Sequence, residues 1–161
     1  LADRIVRHFP EIDRAWLLTG AGTMLKDEIA VGNEIPYYNE EVENVLVNRR
    51  SYKPVTRVYL PSVSGCDLVA RTYQRAMCEP TCAATELFLK KVDLDEIIQG
   101  NEYVLVLKNR SVIWRKMRLT SNKGVWRLVA RNREEYEDIL LEHKKIAQAW
   151  RVIAKTSIMS S

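Results

Sequence analysis

From Ile35 onward the apolar residues of this chain leave helical spacing and begin to alternate, with β-branched and aromatic side chains set between turn formers. A period of two is satisfied by strands that share a sheet, so it confines most of the chain to β structure. In Tyr103, Leu105 and Leu107 against Glu102, Val104 and Val106, the pattern is that of a strand covered on both faces. In Trp126, Leu128 and Ala130 against Arg127, Val129 and Arg131, it is that of a half-buried strand. Strands are expected over 56–60, 67–73, 86–91, 102–108, 111–119, 125–131 and 149–157, joined by turns such as Lys108-Asn109-Arg110 and Ser121-Asn122-Lys123-Gly124.

The chain ahead of Ile35 reads differently. Over 2–18, Ile5, Val6 and Phe9 recur at helical spacing, and Ile12, Trp16 and Leu17 repeat it after Pro10, until Gly20 and Gly22 end the pattern. Residues 26–34 are polar and without a sustained period, as in a linker. Residues 134–148 carry a conflict, because Glu134, Glu135, Glu137 and Asp138 precede His143, Lys144 and Lys145, an order that a helix macrodipole favours.

A length of 161 residues accommodates one ordinary domain with a short appendage. With 47% hydrophobic and 29% charged residues the composition is globular, and no run approaches the roughly 18 apolar residues of a membrane helix. The chain starts without a leader-like segment, so a cytoplasmic setting is the expectation. Cys66, Cys78 and Cys82 are then expected as reduced, buried thiols. The C-x3-C pair of Cys78 and Cys82 has neither His8 nor His143 at a ligand spacing, which argues against zinc. The six glycines form no phosphate-binding loop, so no nucleotide cofactor is expected. The net charge of +4 arises from the part beyond residue 60. Its basic run of Arg110, Arg115, Lys116 and Arg118 fits a solvated strand face better than a phosphate-backbone contact. Trp16, Trp114, Trp126 and Trp150 sit in apolar patterns and are expected in the core.

The stretch FPEIDRAWLLTGAGTML, residues 9–25, resembles the end of the helix-turn-helix domain in phage-type and LexA-like repressors. The resemblance continues: Ile35-Pro36-Tyr37-Tyr38-Asn39 looks like the start of the self-cleaving domain that these repressors share with signal peptidases. Where that family writes G-D-S-M-x-P, this chain has Gln74-Arg75-Ala76-Met77-Cys78-Glu79-Pro80, with one residue inserted before the proline, and Glu86 falls at the family's later acid. Asn101 to Arg118 is similar to the family's next strand pair, Arg127 to Asn132 followed by Tyr136 to its L-x-P-x-N-x-x-Y, and Trp150-Arg151-Val152-Ile153 to its closing strand. The fold so implied is mainly β: a LexA-like or signal-peptidase-like domain over 35–161, preceded by a linker over 26–34 and a helical remnant of a helix-turn-helix domain over 1–25. It also implies an extended segment near 137–142, against the local helix propensity.

In that family a Ser attacks a backbone carbonyl of its own chain and a neutral Lys takes the Ser proton. The Ser position falls on Ala76, whose methyl has no oxygen to deprotonate, and the Lys position on Arg115, whose guanidinium stays protonated and offers only donors. The Ala-Gly bond cut in such domains has no equivalent in Glu40-Glu41-Val42-Glu43-Asn44-Val45, and Ala21-Gly22 sits inside the WLLTGAG turn. A shifted site with Cys78 as nucleophile and Lys116 as base is the enzymatic alternative; it needs a strand bulge, because Arg115 and Lys116 otherwise point to opposite faces. The resemblance therefore implies a repressor-like regulator that no longer cleaves itself. Such a regulator pairs as a homodimer through 35–161 and meets DNA through an N-terminal domain whose recognition helix lies ahead of residue 9. No DNA-contacting residue, metal ligand or membrane contact is assigned, and a third use of the former cleft is to hold an extended peptide segment.

Overall fold

The computed structural model describes residues 1–9, 12, 14–20 and 34–160; the expected linker falls almost wholly outside them, as does the Ala21-Gly22 bond. Ahead of the sheet are two short helices, α1 (Ala2–His8) and α2 (Arg14–Thr19), on either side of Pro10, whose ring cannot donate to a helix.

The alternating region forms nine strands: β1 (Ile35–Glu41), β2 (Thr56–Val58), β3 (Leu68–Thr72), β4 (Cys82–Val92), β5 (Glu102–Leu107), β6 (Val112–Leu119), β7 (Val125–Val129), β8 (Ile139–Glu142) and β9 (Ile146–Met159). They make one sheet in the order β2-β1-β3-β4-β9-β5-β6-β7-β8. Every pairing is antiparallel except β1 with β3. The protein is thus mainly β. All seven expected strands are present, two of them longer than their local pattern: Cys82–Thr85 and Ile158–Met159 are drawn in by pairing with each other across β4 and β9. Strand β1 and the one-turn helix α3 (Val42–Val47) were not among the expected elements. Helix α3 buries Val42, Val45 and Leu46, which share one helical face at i, i+3 and i+4.

Strand β5 explains how the sheet is covered on both sides. Val104 and Val106 pack into one cluster with Leu68, Leu87, Leu89, Trp114 and Trp150, while Tyr103, Leu105 and Leu107 pack into another with Met117, Leu128 and Ile146. Trp114, Trp126 and Trp150 are buried, as expected. The helix propensity over 134–148 is overruled: β8 occupies 139–142, a single 3-10 turn covers His143–Lys145, and β9 begins at Ile146. Leu141 and Ile146 enter the second cluster from these extended segments, and that burial outweighs the modest gain from a surface dipole. Among the described residues no helix is long and apolar enough to cross a membrane.

One expectation about the thiols is corrected. Cys78 and Cys82 are paired as a disulfide with their Cα atoms 6.0 Å apart, and Cys66 is the free cysteine. The turn that leads from Cys78 into β4 brings the two cysteines together, a closeness that the C-x3-C spacing permits but does not dictate. Burial pushes the Cys66 thiol up from its ordinary pKa, with Asp67 adding to the effect and Lys90 opposing it.

Candidate functional site

The segment between β3 and β4 carries Ala76, the position where the family resemblance places a nucleophile. Ala76 is buried, and its carbonyl accepts hydrogen bonds from the backbone N–H groups of Arg131 (2.9 Å) and Asn132 (3.1 Å) at the end of β7. The Asn132 carbonyl accepts in turn from the Tyr136 N–H at 3.1 Å. The guanidinium of Arg115, on β6, lies 5.6 Å from the centre of the Tyr136 ring. Ala76, Asn132, Tyr136 and Arg115 are therefore linked through successive contacts.

These contacts offer no proton-transfer pair between Ala76 and Arg115. Arg115 is 8% exposed, donates from Nη1 to the Trp114 carbonyl at 3.5 Å and leaves Nε without a hydrogen-bond partner in its buried position. Burial pushes its pKa down, while Tyr136 acts in the opposite direction. From its high starting value a guanidinium nevertheless remains charged at neutral pH. The Tyr136 ring face is a suitable neighbour for such a cation.

The alternative assignment rests on Cys78 and Lys116. The Cys78 sulfur is paired with Cys82 and lies 3.3 Å from the Thr85 hydroxyl. Lys116 is on the other face of β6 from Arg115. The β5–β6 register runs without interruption from Val106↔Val112 to Glu102↔Lys116, so no bulge in that pairing swings Lys116 round. The basic run expected to share a solvated face is divided in the same way: Arg115 is buried, Lys116 and Arg118 share the opposite face of β6, and Arg110 occupies the turn before the strand with φ at 72°.

Lys116 instead faces an open cleft of about 590 Å3 beside the Ala76–Met77 turn. Strands β6 and β7 form its floor, with Lys116 opposite Val129 and Arg118 opposite Arg127. Lys155 enters from β9, and Arg131 and Arg133 from the segment after β7. Two carboxylates complete the lining. Glu102 accepts from Lys155 Nζ at 3.0 and 3.2 Å and from the Trp114 indole at 3.0 Å, and Asp138 sits 3.6 Å from Arg127 and 3.3 Å from Arg133. Arg131 turns outward to Glu79, while Lys116 and Arg118 have no ion pair among the described residues.

This cleft was not anticipated from the sequence. Its signal is the placement of cations two apart, at 116 and 118 and again at 131 and 133. The cross-strand register that brings Arg118 against Arg127 is not contained in either strand alone. Among the described residues no three His, Cys, Asp or Glu side chains converge as a metal site requires. His8 holds the Arg4 carbonyl at 2.9 Å and His143 accepts from the Trp126 indole at 3.1 Å, which gives each a structural partner. The chain matches none of the known protein-family models and none of the curated proteins with which it was compared.

Proposed function

We propose that residues 35–161 are the regulatory and dimerisation domain of a repressor-like transcriptional regulator of the LexA type whose self-cleavage has been lost. The reading is supported by the resemblance, which assigns the nucleophile position to Ala76 and the base position to Arg115, two residues that are both buried and chemically unable to fill those roles. The sheet architecture agrees with a mainly β domain of this kind but is common to many others. In this role the domain pairs two DNA-binding heads to match two half-sites, in a cytoplasmic setting.

Two measurements test the proposal separately. The intact mass of the protein is expected to stay constant over a day from pH 7 to pH 10, a range in which a lysine base approaches its reference pKa of about 10.4 and would become increasingly active. A discrete cut between residues 35 and 50 that Cys78→Ala abolishes would establish the shifted Cys78 and Lys116 site instead. Sedimentation at micromolar concentration is expected to show a homodimer that persists when residues 1–34 are removed. A monomer throughout the micromolar range would overturn the dimerisation role.

A further inference from the structure

We propose that the cleft between the Ala76–Met77 turn and strands β6 and β7 is a binding site for a small, multiply charged phosphate compound. The charge arrangement carries the inference. Lys116, Arg118, Arg127, Arg131, Arg133 and Lys155 line the same concavity, against the carboxylates Glu102 and Asp138. Those two carboxylates are already engaged by Lys155, Arg127 and Arg133, and Lys116 and Arg118 remain without an ion pair among the described residues.

The β6–β7 register sharpens the point. Arg118 stands directly opposite Arg127 on the face of the sheet that forms the cleft floor, and like charges directly opposite each other on a sheet are destabilising. Lys116 lies two residues before Arg118 on the same face; it is half-buried, stands opposite Val129 and shares the cleft lining with Met77. A bound polyanion removes the repulsion between these cations and supplies the partner that Lys116 and Arg118 lack. Arginine forks suit phosphate oxygens in particular, because they donate in pairs.

The shape selects a compact ligand. A volume of about 590 Å3 lies in the range of small-molecule sites, roughly 300–1,000 Å3. Among the described residues no aromatic side chain lines the cleft, so the base stacking that holds single-stranded nucleic acid has no platform there. The carboxylates Glu102 and Asp138 would also repel a continuous phosphate backbone laid along the groove. An oligophosphate, or a small ester bearing one, needs no stacking platform and is compact enough to meet Lys116 and Arg118 inside the cleft.

The proposal is independent of the dimerisation reading, since a monomer retains the whole cleft. It is tested by calorimetric titration of the full chain with inorganic triphosphate at about 0.15 M salt, where weak surface attraction is screened. Saturable binding at one site per chain is expected. Lys116→Ala with Arg118→Ala should weaken it about tenfold or more, since each substitution removes a charge-assisted contact. Asp138→Asn should tighten it about threefold or more by releasing Arg127 and Arg133, a gain that a folding defect would not produce. The control pair Lys53→Ala and Lys108→Ala removes the same charge from exposed positions outside the cleft and should leave affinity unchanged. Absence of saturable binding, or equal weakening by the control pair, would overturn the proposal. Duplex DNA that binds through Lys116 and Arg118 while triphosphate neither binds nor competes would overturn it as well, assigning the cleft to a nucleic-acid surface.

Discussion

Trp114→Ala is expected to lower the free energy of unfolding by about 3–5 kcal/mol, the range for removing a large aromatic side chain from a packed core. Trp114 is 1% exposed and packs among Val104, Trp150 and Met77 in the larger core cluster. Its indole N–H also donates to Glu102 at 3.0 Å, and Lys155 lies 5.5 Å from the centre of its ring. The substitution therefore opens a cavity and strips one partner from Glu102. Trp114→Phe keeps most of the apolar volume while losing the indole donor, and should cost about 1–3 kcal/mol. Urea denaturation distinguishes the two, with the midpoint falling and the slope nearly constant. A loss below about 1 kcal/mol for the alanine variant would mean that Trp114 is not a core residue.

Gln74→Leu should cost about 2–3 kcal/mol, although leucine is more apolar and similar in size, because two backbone groups lose their partners. The Gln74 amide donates to the Val112 carbonyl at 3.0 Å and its oxygen accepts from the Trp114 N–H at 3.0 Å. These are groups of β6 beyond the reach of β7, whose pairing with β6 begins at Lys116↔Val129. A side chain thus completes a ladder where the neighbouring strand has ended. The same amide donates to Glu43 at 2.6 Å, fastening α3 to this edge together with the Thr72 hydroxyl. Amide hydrogen exchange gives the site-specific test: protection at Trp114 should fall in Gln74→Leu, and unchanged protection with a stability within about 0.5 kcal/mol of the parent would contradict this role.

Legibility in the sequence followed the strength of the local pattern. Strand β5 was readable because both of its faces are apolar, and β7 because one face is charged. Helix α3 escaped because its Val42, Val45 and Leu46 triplet is only one turn long and lies among acidic residues. The first half of β4 escaped because Cys82-Ala83-Ala84 has little intrinsic strand preference and is held extended by its partner β9. The resemblance put Ala76 and Arg115 at its nucleophile and base positions, and their chemical limits follow from residue type alone, wherever they sit. The cleft could not, because it depends on a register between β6 and β7 that only the assembled sheet defines. The extended segment near 137–142 came from the resemblance, and β8 at 139–142 agrees with it against the local charge order.

The place of β9 bears on the order in which the molecule can be made. Strands β2, β1, β3 and β4 form one half of the sheet and β5 to β8 the other, and β9 is the strand that hydrogen-bonds to both. It follows the other eight in sequence, so during synthesis the inner edges of β4 and β5 have no partner until residues 146–159 arrive. Partners so distant along the chain are slow to find, and open strand edges are prone to pair with the wrong chain. Closure of the sheet therefore waits on residues 146–159, whatever the stability of either half.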